Sequence, residues 1–293
     1  MELHVLFLSL GGVLLLGLLT DTIGRRTRLP RVTLLVLFGV VVGPAGFNIL
    51  PAQFQDWYAF LAATALTMVA FLLGGRLSVP ALKSHGRSII VVSITAVLVT
   101  AVVVGAGLFA MGASIVLAML LAGIATATAP AATQDIVRQT EAKGPFTETL
   151  LGVVAVDDAW GLIIFSLLLV LAKSILGDGI DTVVWNGVRE LGGALLVGTL
   201  VGVPASLLTG RLRSGEPMQL EALGLVFLCA GLSIWLDVSF LLAGMITGAI
   251  VVNFARHHNR PFHEIENIEW PFMVFFFLLA GASLQIGALR EIG

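Results

Sequence analysis

The sequence predicts an all-α, polytopic membrane protein of about ten transmembrane helices, with an inverted internal repeat and one helix broken at 126–130. Three observations point there. The 293 residues are 58% hydrophobic and only 12% charged, with a mean hydropathy of +1.03, whereas a soluble domain carries roughly 25% charged residues. The apolar residues fall into ten runs, each near the roughly 20 residues that span a bilayer. All of the 16 Lys and Arg residues except Lys173, Arg189 and Arg290 lie in the segments that follow odd-numbered runs.

Taken in order, the runs place helices near 4–22, 32–50, 57–76, 88–111, 114–137, 146–172, 184–208, 219–236, 239–255 and 270–288. The first begins with an acidic head, Met1-Glu2, and its basic residues, Arg25, Arg26, Arg28 and Arg31, follow it. That order is wrong for a signal peptide, so the run counts as a membrane helix. The second follows Leu29-Pro30, and the third begins at Trp57. The fourth is apolar on all faces, as lipid or a bundle interior requires. The fifth contains Pro130, and the sixth follows the polar connector Lys143-Gly144-Pro145. Trp57, Trp185, Trp235 and Trp270 sit at the expected ends of the third, seventh, eighth and tenth, where aromatic belts form. Basic loops stay cytoplasmic, so the N-terminus is expected outside the cell membrane, with cytoplasmic loops at 23–31, 77–87, 138–145, 209–218 and 256–269.

Helices two and three echo nine and ten. Gly39-Val40-Val41-Val42 resembles Gly248-Ala249-Ile250-Val251, and Phe71-Leu72-Leu73-Gly74-Gly75 resembles Phe277-Leu278-Leu279-Ala280-Gly281. The paired helices run in opposite directions, and inverted repeats mark secondary transporters.

Two features carry chemistry. Asp157 and Asp158 lie about 18 Å into the sixth helix, near the bilayer midplane. A carboxylate there costs at least roughly 2.5–3.5 kcal/mol and must meet a cation, a proton or a basic partner. Neighbours on a helix point about 100° apart, so the pair can serve two partners. The second feature is Ala125-Thr126-Ala127-Thr128-Ala129-Pro130-Ala131-Ala132-Thr133. Pro130 removes a backbone donor, and Thr126 and Thr128 compete for backbone hydrogen bonds. Unwound backbone at this depth is tolerated only against a cavity. There it offers carbonyls to a cation and two helix ends of opposite partial charge.

These residues resemble the ion-site region of the cation:proton antiporter superfamily, in the branch of bacterial sodium–proton antiporters with an Asp-Asp pair. Leu29-Pro30, Gly43-Pro44 and Phe71-Leu72-Leu73-Gly74-Gly75 are similar to that family's second and third helices. The resemblance implies exchange of a monovalent cation, sodium by preference, for protons. It implies that Asp158 binds the cation or proton, that Asp157 pairs with a membrane lysine or arginine, and that Thr126 and Thr128 sit at a helix crossing beside Pro130. It also implies scaffold helices in 1–76 and 219–293, a moving core in 88–172, a linker helix at 184–208, and a homodimer in the lipid bilayer. Family members continue through further helices that include a second broken helix and the basic partner. The expectation is therefore that these lie outside this chain, whether in a longer polypeptide or in another one.

Other chemistries fit less well. An aspartyl protease needs two carboxylates from separate helices facing each other, and here both come from one helix. A channel or a non-transporting scaffold is the remaining alternative. The net charge of -2 supplies no basic face for nucleic acid, and Cys229, the sole cysteine, excludes an internal disulfide or a Cys-rich metal site. No cofactor, no enzymatic activity and no metal apart from the transported cation are expected. His257, His258, His263, Glu264, Glu266 and Glu269 read as a solvated loop, Arg189 and Glu190 as an interfacial pair, and Trp160 as bundle packing.

Overall fold

A computed structural model describes residues 3–27, 29–51, 53–176, 180–208, 218–255 and 259–284. Among them are eleven helices: α1 (Leu3–Thr27), α2 (Arg31–Val42), α3 (Gln53–Gly74), α4 (Val79–Ala110), α5 (Ile115–Ala125), α6 (Pro130–Gln139), α7 (Pro145–Leu176), α8 (Ile180–Leu208), α9 (Met218–Trp235), α10 (Phe240–Phe254) and α11 (Asn259–Ala282). The helix expected over 114–137 is the pair α5 and α6, interrupted where the Thr and Pro residues predict it. The other nine match nine apolar runs. Five carry stretches long and apolar enough to cross a membrane, within α1, α3, α4, α8 and α11.

Three boundaries differ from the sequence expectation. α2 ends at Val42 rather than near 50, because Gly43 is extended and Pro44 follows it. The chain then folds back in a tight turn, with Phe47 N–H donating to Val41 O at 2.8 Å. α4 begins at Val79, within the expected loop 77–87. Similarly, the expected loop 256–269 is helical from Asn259, with Pro261 in the first turn, where proline is tolerated. Hydropathy marks the apolar part of a helix, and Lys, Arg and Glu extend it past the membrane without breaking it. Trp270 consequently lies in the middle of α11 and not at its end. His257, His258 and all of the expected loop 209–218 except Met218, which opens α9, fall outside the described residues.

The repeat is visible as packing. A Cβ placed on Gly39 of α2 would lie 2.0 Å from Leu278 O of α11, and one on Gly281 would lie 2.1 Å from Val36 O. The same reciprocal contact joins α3 to α10. A Cβ placed on Gly74 would lie 2.0 Å from Met245 O, and one on Gly248 would lie 2.0 Å from Phe71 O. Exchanging α2 with α10 and α3 with α11 turns one pair into the other. The exchange equates Gly39 with Gly248 and Gly74 with Gly281. The sequence comparison of Phe71 with Phe277 is therefore one residue out of register. The contact is set by glycines where backbones touch, and the Phe-Leu-Leu letters beside them do not report it.

Around these crossings sit buried clusters. Met68 and Phe71 pack with Ala205, Val226, Val251 and Ile265, and Val13 and Leu35 with Val274 and Leu278. α4, α5 and α7 form a second bundle through close glycine contacts, Gly105 on Ala122, Gly123 on Phe165 and Gly152 on Ile89. α7 meets the first bundle at Ala155, which is buried with Ala65, Val69, Leu73 and Met273. Large apolar side chains such as Val102, Val103, Leu195 and Leu200 are exposed, as a lipid-facing surface requires.

Candidate ion site

α7 is 32 residues long, about 48 Å at 1.5 Å per residue. Asp157 therefore lies about 18 Å from its start. Its side chain is 1% exposed. The Ser93 hydroxyl, fully buried on α4, donates to Asp157 Oδ1. Ala155, on the turn that carries Asp157, ties this level of α7 to α3 and α11. Asp158 follows Asp157 in the helix; its carboxylate lies outside what the structure describes.

The break is built by local chemistry. α5 closes with tight turns, Thr126 N–H to Gly123 O at 3.3 Å and Ala127 N–H to Ile124 O at 3.2 Å. The Thr126 hydroxyl donates to Gly123 O at 2.7 Å, so it competes for the last turn. Residues 127–129 are not helical, and Ala129 has φ -101° and ψ 86°. α6 restarts on Pro130, whose missing N–H costs nothing at a first helical position. The negative end of α5 and the positive end of α6 thus meet across the stretch 126–129.

This break faces α7 one turn past Asp157. A Cβ on Gly161 would lie 3.6 Å from Thr126 Oγ1 and 3.7 Å from Ala127 Cα. A methyl group at 161 would make only ordinary van der Waals contact there, so the unwound stretch lies directly beside the helix that carries the aspartates. Two polar atoms here are buried without a described partner, Thr128 Oγ1 and Trp160 Nε1. Thr126 is buried, whereas Ala127 and Ala129 are exposed. The structure therefore places the unwound stretch, with Thr126, against α7 at Gly161, one turn past Asp157. The described partner of Asp157 itself is Ser93 rather than Thr126, Thr128 or Pro130. Hydroxyl, carboxylate and carbonyl oxygens are of the type a hard cation takes.

Two groups of residues escape the sequence reading. Ser93 is one: a serine in an apolar run gives no hint of what it faces. The other is a charged cluster where α1, α2, α6 and α11 converge. Arg31 Nη1 donates to Asp21 Oδ1 at 2.9 Å, and its Nη2 to Asp135 Oδ1. Its guanidinium carbon lies 4.3 Å from the centre of the Trp270 ring. Arg138 pairs with Glu266 at 3.1 Å and also with Glu269. Glu269, expected in a solvated loop, is buried because α11 starts earlier and carries it against α6. Elsewhere, Arg189 Nη2 donates to Leu236 O at 2.9 Å. The signal that was available is the run Gln134-Asp135-Ile136-Val137-Arg138, charged residues one turn apart just past a proline break.

Comparison with known proteins adds the following. The family model "Sodium/hydrogen exchanger, transmembrane" matches residues 11–292. The chain is 23% identical to the ammonium/H(+) antiporter subunit AmhT of Alkalihalophilus pseudofirmus over 282 residues, covering 94% of this chain and 70% of that protein. It is 24% identical to the K(+)/H(+) antiporter subunit KhtU of Bacillus subtilis over 298 residues, covering 98% and 72%. The solved structure of the sodium proton antiporter MjNhaP1 from Methanocaldococcus jannaschii at pH 8 superposes with a TM-score of 0.72 at 21% identity, over 99% of this chain and 75% of that one.

Proposed function

Because this chain belongs to the sodium/hydrogen exchanger family of cation:proton antiporters, we propose that it exchanges sodium for protons, with Asp158 as the carrier. The observation that carries this reading is the unwound stretch at 126–129 packed on α7 at Gly161, one turn past the Asp pair. Asp158 alternates between a protonated and a cation-bound form. Thr126, Thr128 and the open carbonyls of the break replace part of the cation's hydration shell. Asp157, held by Ser93, keeps the frame. Residues 88–172 form the moving core, 1–76 and 219–293 the scaffold, and 184–208 the linker. The scaffold supports a homodimer. The basic end of the molecule faces the cytoplasm and the N-terminus faces outside.

Support for sodium comes from the hard oxygen donors and from the solved neighbour, which is named as a sodium proton antiporter, while the two curated relatives are named for ammonium and potassium. The test is a proteoliposome assay of proton movement on adding sodium, lithium, potassium or ammonium. Sodium and lithium are expected to drive exchange. A response to potassium or ammonium without one to sodium overturns the choice of cation.

A further inference from the structure

The charged cluster around α6 has no part in the exchange chemistry above. Its geometry nevertheless bears on how the core meets the scaffold. Asp135 and Arg138 stand one turn apart on α6 and so share a face. Asp135 accepts from Arg31 of α2, which also holds Asp21 of α1 and lies against Trp270 of α11. Arg138 donates to Glu266 and Glu269 of α11. The two points have opposite polarity: α6 supplies the anion at one and the cation at the other. Both are sheltered, with the side chains of Asp135 and Glu269 5% and 4% exposed.

We propose that Asp135 and Arg138 form a two-point clasp that pins α6 to α2 and α11, shuts the basic end of the ion path, and opens once in each transport cycle. The proposal rests on the core-and-scaffold movement argued above. Opposite polarity makes the clasp selective for one register. A slide of α6 by one turn, about 5.4 Å, would carry Asp135 towards Glu266 and Glu269, where like charges repel. α6 therefore cannot ratchet along α11; it must detach. The clasp is also incompletely satisfied. Asp135 Oδ2, Glu269 Oε2 and the neighbouring Gln134 Oε1 are buried without a described partner. Leaving buried acceptors unpaired is costly, and entry of water would relieve that cost. Beside the clasp lies a cavity of about 370 Å³ lined by Arg76, Gln134, His263 and Glu266, large enough to admit water. Gln134 sits at the boundary, lining the cavity while 6% exposed.

The test is thiol labelling of a Gln134→Cys variant of the full chain in inside-out vesicles, using a membrane-impermeant maleimide. The unsubstituted chain, whose Cys229 is buried, supplies the background. Arg138→Gln in this background should raise the labelling rate by about fivefold or more, the low end of typical coupling between sites. Asp135→Asn, at the other point, should do the same. The charge exchange Arg138→Glu with Glu269→Arg should bring the rate back towards that of the parent, which loss of packing alone would not do. An unchanged rate in either single variant overturns the clasp, as does failure of a monodisperse charge-exchange variant to restore it. Sodium–proton flux measured on the same vesicles reports separately on the antiport reading, because labelling needs no transport.

Discussion

Ser93 shows how much one residue can decide inside a membrane. Its hydroxyl is the described partner of a carboxylate that is 1% exposed, and leaving such an acceptor unpaired costs about 1–3 kcal/mol. Ser93→Ala is therefore expected to lower thermal stability in detergent by an amount in that range. Combined with Asp157→Asn the two losses should not add, because both remove the same contact. Full additivity would mean that the hydroxyl and the carboxylate act apart. The Asp pair was legible in the sequence because a charge at bilayer depth is rare and needs a reason. Ser93 was not, because a small hydroxyl is tolerated anywhere in a membrane helix and only the fold says what it touches. Glu269 was misjudged for a related reason: with helix ends judged from hydropathy, it fell in the loop 256–269, whereas it is buried on α11.

At the scale of the element, the break at 126–129 was readable from Thr126, Thr128 and Pro130, although of the two threonines it is Thr126 whose hydroxyl takes a backbone carbonyl. The glycine crossings were half readable. The repeat showed in the letters, but its register came out one residue wrong, because contact distance is not written in a Leu-rich pattern. The crossings make a sharp prediction. Gly39→Ala, Gly74→Ala, Gly248→Ala and Gly281→Ala each put a methyl group 2.0–2.1 Å from a carbonyl oxygen of the facing helix. The helices must part, and overpacking of this kind costs about 1–3 kcal/mol or more. Gly11→Ala and Gly107→Ala, with nothing within 4 Å, should leave stability unchanged or improve it. Thermal unfolding followed by fluorescence-detected gel filtration separates the two sets; similar losses in both would remove the crossings as the origin of the repeat.

At the scale of the whole molecule, the alternation of basic residues anticipated which helix ends share a side. Arg76 and His263 line one cavity, and Arg31 and Arg138 meet carboxylates of neighbouring helices nearby. The fold does not by itself say which side is the cytoplasm. Labelling of intact cells does. Met111→Cys, 85% exposed after α4, is expected to react with an impermeant thiol reagent, and Thr140→Cys, after α6, is not. The reverse pattern would invert the topology. The proposed exchange turns on one carboxylate. Asp158→Asn keeps the shape and removes the titratable charge, so the direct measurement is sodium–proton exchange by the wild-type and Asp158→Asn proteins, reconstituted side by side at equal protein content. Exchange by the wild type and none by the folded variant is the predicted result; undiminished exchange by Asp158→Asn would contradict it.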